Sequence, residues 1–228
     1  MITLTSPWYA YARQSPDEPG GSLLPPPRLE WGTYPGTGPG TEAFVRDVRG
    51  RKLLELGCGA GRNAAYLAGR EGAHVTAIDM IDLQIRRARD HYGHLPGVSF
   101  LTCDALRFLR HGTERFDGVY SVFGAVGLVD PDVLLPAIRA RLNQHRPLVF
   151  SVPHPQRAGR RPALGRALTD FLALPDGTHR ALARWEFDVP QWAATLAYAG
   201  FRLSRAQELK NPRHAHTPST LLITARRL

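Results

Sequence analysis

The sequence predicts an α/β chain: an open, mostly parallel sheet with helices on both faces and an antiparallel strand at its C-terminal end. Two observations carry this. Between residues 52 and 152, short apolar runs rich in β-formers alternate with helical stretches, the arrangement of βαβ units. After residue 190, a helix is followed by two strand-like runs with no helix between them, and strands joined without a crossover pair antiparallel.

Taken in order, residues 41–48 read as a short helix capped by Thr41 or Gly40. Residues 52–56 form a buried strand, then comes a glycine-rich turn, then a helix over 62–70 ending at Glu71-Gly72. Strands follow at 74–78, 98–102, 116–121 and 148–152, with helices at 83–91 and 133–142. The tail supplies a helix at 190–199 and strands at 201–206 and 219–224. From Pro153 to Pro190 the alternation lapses; residues 165–174 read as a helix, and 153–189 as a substrate-side insertion over the strands' C-terminal ends. Residues 1–40 are rich in proline and glycine yet hold Trp8, Tyr9, Tyr11, Trp31 and Tyr34. Such a segment is an arm with turns, lying over the core or closing as a lid over a ligand. The organisation is thus an arm over 1–40 and one domain over 41–228.

At 228 residues the chain is long enough to bury a core, and its hydrophobic fraction of 43% is ordinary for a globular protein. No run approaches the ~18 apolar residues of a membrane span, and the first ten residues lack the pattern of a signal peptide. Cys58 lies in the glycine-rich turn, so a structural disulfide with Cys103 is not expected and a cytoplasmic location is. The net charge of +9 is uneven: residues 1–132 carry 14 basic and 15 acidic side chains, residues 133–228 carry 15 and 5. The densest basic stretch, Arg157 to Arg166, contains no aromatic residue for base stacking, which suits a solvated loop or an anion-binding surface.

The motif with most chemical content is L-L-E-L-G-C-G-A-G-R-N, Leu53 to Asn63. No lysine follows its glycines, which excludes a phosphate-cradling P-loop. A dinucleotide turn wants G-x-G-x-x-G; here Gly57, Gly59 and Gly61 alternate, and Arg62 fills the sixth position. Glu55 ends the strand before the turn, where a carboxylate would repel a pyrophosphate but attract a cationic amino-acid tail. Asp79 ends the second strand, where an acid accepts from ribose hydroxyls. Asp104 follows the third strand, as a helix cap for 105–109 or as an acceptor for an adenine amino group.

These stretches resemble the class I S-adenosylmethionine-dependent methyltransferases, over roughly residues 41–152 with the tail from 190 compatible. The resemblance implies a Rossmann-like fold and S-adenosylmethionine as cofactor, with S-adenosylhomocysteine as product. It carries Glu55, Gly57, Cys58, Gly59 and Gly61 (E-L-G-C-G-A-G), Asp79 and Met80 (A-I-D-M), Asp104 and Ala105 (T-C-D-A-L), and Ser121, Val122 and Phe123 (Y-S-V-F) over as cofactor contacts. The Asn/Asp-Pro-Pro-aromatic motif of enzymes that methylate nucleic-acid bases is absent; Tyr120-Ser121-Val122-Phe123 stands there. The expected activity is methyl transfer to an oxygen or nitrogen of a small molecule, plausibly in specialised metabolism. The alternatives are an RNA or protein methyltransferase using the basic C-terminal half, and a cofactor-binding regulator or cyclase. His154, just after the fifth strand, is the first candidate base, with His179, Glu186 and Asp188 behind it. Tyr9, Tyr11, Trp185 and Trp192 are the expected substrate-pocket residues. His214 and His216 alone make a poor metal site, and no metal is expected; the oligomeric state is left open.

Overall fold

The computed structural model describes residues 6–14, 25–44, 47–158 and 165–228, apart from the Ala215 side chain. Seven strands form one sheet in the order β3-β2-β1-β4-β5-β9-β8. Its parallel part is β1 (Lys52–Leu56), β2 (His74–Asp79), β3 (Val98–Thr102), β4 (Gly118–Val122) and β5 (Pro147–Pro153). The connecting helices are α2 (Arg62–Gly69), α3 (Asp82–Tyr92), α4 (Ala105–His111) and α5 (Pro131–Arg141), preceded in the chain by α1 (Pro7–Gln14). Two buried clusters, one on each side of the sheet, contain the apolar side chains of these strands: Leu54, Leu56 and Val119 in one, Leu53, Val75 and Tyr120 in the other. Strand order reverses between β1 and β4, and a crevice opens there above the strands' C-terminal ends.

The tail folds as expected, with longer strands. Helix α6 (Val189–Tyr198) starts in a capping box, Asp188 accepting from the Gln191 N–H while Gln191 accepts from that of Asp188. Strands β8 (Phe201–Asn211) and β9 (His214–Arg227) pair antiparallel, and β9 pairs antiparallel with β5. The edge strand β8 exposes Arg202, Arg205 and Lys210, charges that discourage pairing with another chain.

Two expected helices are corrected. Of residues 41–48, only Thr41–Phe44 are helical, as one 3₁₀ turn; residues 45–46 lie outside the described ones. Residues 165–174 are not a helix. Leu168–Ala173 is strand β6, paired antiparallel with β7 (His179–Arg184). The turn between them contains Pro175-Asp176-Gly177, with Gly177 at φ +83° and the Asp176 carboxylate accepting from the Thr178 N–H and hydroxyl. That turn signal, with Asp170 buried and Thr169 and Phe171 exposed on either side of it, outweighs the helix propensity of the leucines and alanines.

Charges anchor the hairpin to the body. Arg157 Nη2 lies 3.0 Å from Asp170 Oδ2 and 2.7 Å from Glu186 Oε1, and Arg184 Nε lies 2.9 Å from Asp170 Oδ2. Burial pushes the Asp170 carboxyl up, but the Phe171 N–H and the two guanidinium groups outweigh it and hold the group below the usual range. Part of the basic stretch 157–166, Arg160 and Arg161 included, lies outside the described residues. Arg157 itself is in this cluster and not simply solvated.

Gly61 shows how the turn is locked to the sheet. It caps α2 at φ +80°, and a Cβ there would stand 2.5 Å from Phe100 Cε1 and 2.9 Å from the Ala88 Cβ. Gly177 has a similar φ with nothing within 4 Å. Gly61→Ala should therefore lower unfolding stability by about 3–5 kcal/mol, backbone strain plus overpacking, and Gly177→Ala by about 1–2 kcal/mol, strain alone. Urea denaturation midpoints of the two variants check this; equal losses would remove the packing role assigned to Gly61.

Candidate active site

The crevice is a cleft of about 690 Å³, within the size range of sites for drug-sized ligands. Its floor is the turn after β1. Gly57 and Gly59 have positive φ, and the Gly57 and Cys58 N–H groups both donate to the Ile78 carbonyl at 2.9 Å. A Cβ on Gly57 would lie 2.8 Å from the Gly124 Cα, so the turn after β1 and the loop after β4 meet backbone to backbone. At Gly59 a Cβ would meet nothing within 4 Å, because that residue faces open cleft.

Three carboxylates line this floor, one at each of three adjacent strand ends: Glu55, Asp79 and Asp104. Glu55 is 2% exposed, and its Oε2 accepts from the Tyr120 hydroxyl at 3.0 Å. Tyr120 is held in turn against Trp31 and Phe44, with ring centroids 6.2 and 5.5 Å away. Trp31 is fixed by donation from Nε1 to the Gly40 carbonyl at 3.0 Å, and Asn63 at the start of α2 exchanges two hydrogen bonds with the Glu30 backbone. The proline-rich arm thus reaches both sides of the turn: residues 28–40 brace it from behind, and α1 contributes Pro7, Trp8 and Tyr11 to the cleft.

Burial pushes the Glu55 carboxyl up from its ordinary 4.5 to about 8; the Tyr120 hydrogen bond opposes this and the nearby Asp79 charge adds to it. Asp79 is also raised by burial, although its Oδ2 accepts from the Gly59 N–H at 2.9 Å and its Oδ1 from the Ile81 N–H at 2.8 Å. Asp104 is the helix cap the sequence allowed, and its position in the cleft leaves it available to a ligand. It caps α4 by accepting from the Arg107 N–H at 2.9 Å, and it lines the cleft.

Of the expected cofactor contacts, Glu55, Gly57, Cys58, Gly59, Asp79, Met80, Asp104, Ala105, Val122 and Phe123 line the cleft. Gly61 and Ser121 do not. Gly61 packs on Phe100, and Ser121 is fully buried with its hydroxyl donating to the Leu56 carbonyl at 2.8 Å, a brace between β4 and β1. Tyr11 lines the cleft, but Tyr9, Trp185 and Trp192 are not in its wall. Trp192 is a core residue with no exposure, its ring 4.9 Å from that of Phe150 and 5.1 Å from that of Phe187. Trp185 is partly buried against the same core, its backbone N–H donating to the Gly127 carbonyl.

His154, the first candidate base, lies outside the cleft wall. It is buried beside β8, its Nδ1 accepting from the Gln156 N–H at 3.1 Å and its Nε2 3.4 Å from Glu208 Oε1. The other expected bases are absent from the wall too: Glu186 is buried in the arginine cluster, Asp188 caps α6 and His179 is exposed on β7. Sequence reasoning missed Arg62, Gln84, Leu128 and Val129, and Ala181–Ala183 of β7, all of which line the cleft. The hairpin residues were hidden by the helix reading of 165–174. Among the described residues, no group of His, Cys, Asp or Glu is arranged to hold a metal, and no helix is long and apolar enough to cross a membrane.

An open parallel sheet with a glycine turn at its switch point and an acid at each of three strand ends is the α/β arrangement whose ligand sites lie outside the strands' carboxyl ends. Residues 53–145 match the family described as methyltransferase domain. O-methyltransferase cnsE of Penicillium expansum is 35% identical over 107 residues, 46% of this chain and 38% of that protein. The S-adenosylmethionine-dependent methyltransferase structure from Mesorhizobium loti superposes with a TM-score of 0.62 at 21% identity, covering 82% of this chain and 95% of the other. The 1,6-didemethyltoxoflavin-N1-methyltransferase of Burkholderia thailandensis, whose structure holds 1,6-didemethyltoxoflavin and S-adenosylhomocysteine, does so with a TM-score of 0.58 at 24% identity over 78% of this chain and 72% of the other. The chain is therefore similar to a methyltransferase domain over residues 53–145 and shares its fold with these solved structures. It spans about two-fifths of the length of the curated relatives it matches.

The raised Glu55 carboxyl has a consequence for stability. A carboxyl whose pKa is higher folded than unfolded holds its proton more tightly when folded; that stabilisation is complete below about pH 4.5 and is lost as pH rises through about 8. At about 1.4 kcal/mol per unit, the ligand-free protein should lose a few kcal/mol between about pH 5 and pH 8. Glu55→Gln should flatten most of that slope in denaturant titrations across this range. An unchanged slope would mean that Glu55 ionises normally in the folded state.

Proposed function

We propose that the protein uses S-adenosylmethionine to methylate an oxygen or nitrogen atom of a small molecule, with S-adenosylhomocysteine as product. The observation that carries this reading is the set of three carboxylates on the floor of one cleft, with the one at β1 buried and awaiting positive charge. Glu55 takes the cofactor's ammonium end, Asp79 its ribose hydroxyls, and Asp104 and Ala105 border its adenine beside Met80. The open space at Gly59 supports the fit, because any side chain there would enter the volume the ligand needs. When bound, the cofactor supplies a methyl group on a sulfonium: the acceptor gains CH₃ and loses a proton, while sulfur keeps the electron pair of the broken bond. The chain's own part is to orient the acceptor and exclude water, and such positioning accounts for much of the acceleration of a displacement.

The O-methyltransferase names of several relatives favour a small-molecule acceptor and a biosynthetic role. A nucleic-acid acceptor is disfavoured by the apolar wall of the cleft and by the lack of the base-methylating motif. Both cysteines are free, which suits a reducing cytoplasm, and the chemistry calls for no metal.

Calorimetric titration with S-adenosylmethionine, S-adenosylhomocysteine and NADH tests the reading. Both sulfur ligands should bind and NADH should not. Asp79→Ala should weaken binding at least about tenfold, through lost hydrogen bonds to a charged acceptor. Failure of both sulfur ligands to bind the wild-type chain would overturn the proposal.

A further inference from the structure

The cleft is divided by charge. Among the described residues, all its charged side chains, Glu55, Arg62, Asp79 and Asp104, come from the β1–β3 side. The other walls come from three places: α1, the loop after β4, and β7 of the hairpin. None of the described residues that those elements contribute carries a charge. The loop is apolar over eight consecutive residues, Val122 to Val129, and β7 adds Leu182 between two alanines.

Aromatic faces lie in this uncharged half. Trp8 and Tyr11 occupy one stripe of α1, with their rings edge to face at 6.1 Å. Phe123 sits at the end of β4 with φ +50°, a left-handed conformation that is strained for a bulky residue. Its N–H donates to the Ser151 carbonyl at 3.0 Å, and Gly124 beside it has no room for a Cβ, which would lie 2.3 Å from the Leu56 carbonyl oxygen. Strain of this kind persists where surrounding contacts over-determine it, and here it accompanies an aromatic residue in the cleft wall. Among the described residues, Tyr11 carries the one side-chain hydroxyl of the uncharged half of the cleft wall.

We infer that the methyl acceptor is a neutral aromatic hydroxyl compound, seated between α1 and the loop after β4, with its hydroxyl hydrogen-bonded to Tyr11. This rests on the methyl-transfer reading and deepens it. An anionic or cationic acceptor would leave its charge in an apolar chamber with no counter-ion among the described residues, a large desolvation penalty. A flat ring gains from the faces of Trp8 and Phe123. A single hydroxyl finds one partner in Tyr11, and with no carboxylate or histidine among the described residues of this half the acceptor's own proton goes to water.

The test is binding of three matched probes, naphthol, naphthoate and naphthylmethylammonium, to the full chain saturated with S-adenosylhomocysteine. Naphthol should bind at least about tenfold more tightly than either charged probe. Tyr11→Phe should weaken naphthol about fivefold to tenfold while leaving S-adenosylhomocysteine affinity and the circular dichroism spectrum unchanged. Leu182→Glu, at the hairpin wall, should reverse part of the preference in favour of the cationic probe. Equal or tighter binding of a charged probe to the wild-type chain, or a Tyr11→Phe variant that binds naphthol normally, would contradict the inference with the methyltransferase reading intact. Absence of S-adenosylhomocysteine binding would instead sink that reading, and this inference with it.

Discussion

The arrangement of the site depends on a carboxylate buried at the end of β1. A lone carboxylate in that position costs several kcal/mol if ionised, and a protein that keeps one must hold it by other contacts. Here Tyr120 donates to Glu55 from the next strand of the sheet, while Trp31 and Phe44 fix the tyrosine ring. Trp31 of the arm is therefore structural to the binding floor although far from it in sequence. Asp79 adds a second acid nearby, whose charge helps to hold the proton on Glu55 until a cation arrives.

Around this floor the backbone is closely packed and the roof is held by charge. Gly57 and Gly124 let the turn after β1 meet the loop after β4, Ser121 ties β4 to the Leu56 carbonyl, and Gly61 lets α2 settle against Phe100. These contacts admit almost no change of side chain. The roof is separate: the hairpin rests on the Arg157, Asp170, Arg184 and Glu186 cluster, and its turn meets α1 through Gln14, whose Nε2 donates to Asp176 at 2.8 Å. A rigid, charged floor and a roof joined to it by polar contacts suit a site that keeps one cofactor and exchanges acceptors.

The sheet and its floor were legible because their signals are local. Apolar strand runs, alternate glycines and an acid at each strand end occur within a few residues of one another. The roof was not, because its signals compete: leucines and alanines in 168–183 favour helix, and only the Pro-Asp-Gly turn and the burial of Asp170 decide for a hairpin. Nor does sequence tell an aromatic residue of the core from one of the cleft. Trp192 and Tyr11 look equally suited to a pocket, and only the face that α6 or α1 presents separates them. His154 shows the same limit, since its position after β5 is that of a base, yet it sits beside Glu208 of β8. Asp104 was ambiguous in sequence for a sound reason, because it caps α4 and lines the cleft at once.

The claim that Glu55 is reserved for the cofactor's positive charge is tested most directly by counting protons. S-adenosylmethionine is titrated calorimetrically into the protein at pH 7 in two buffers of different ionisation enthalpy. If the buried carboxyl ionises when the cation binds, about one proton per ligand is released, and Glu55→Gln abolishes the release. The same heat in both buffers for the wild-type chain would show that no group changes its protonation, and that Glu55 has another purpose.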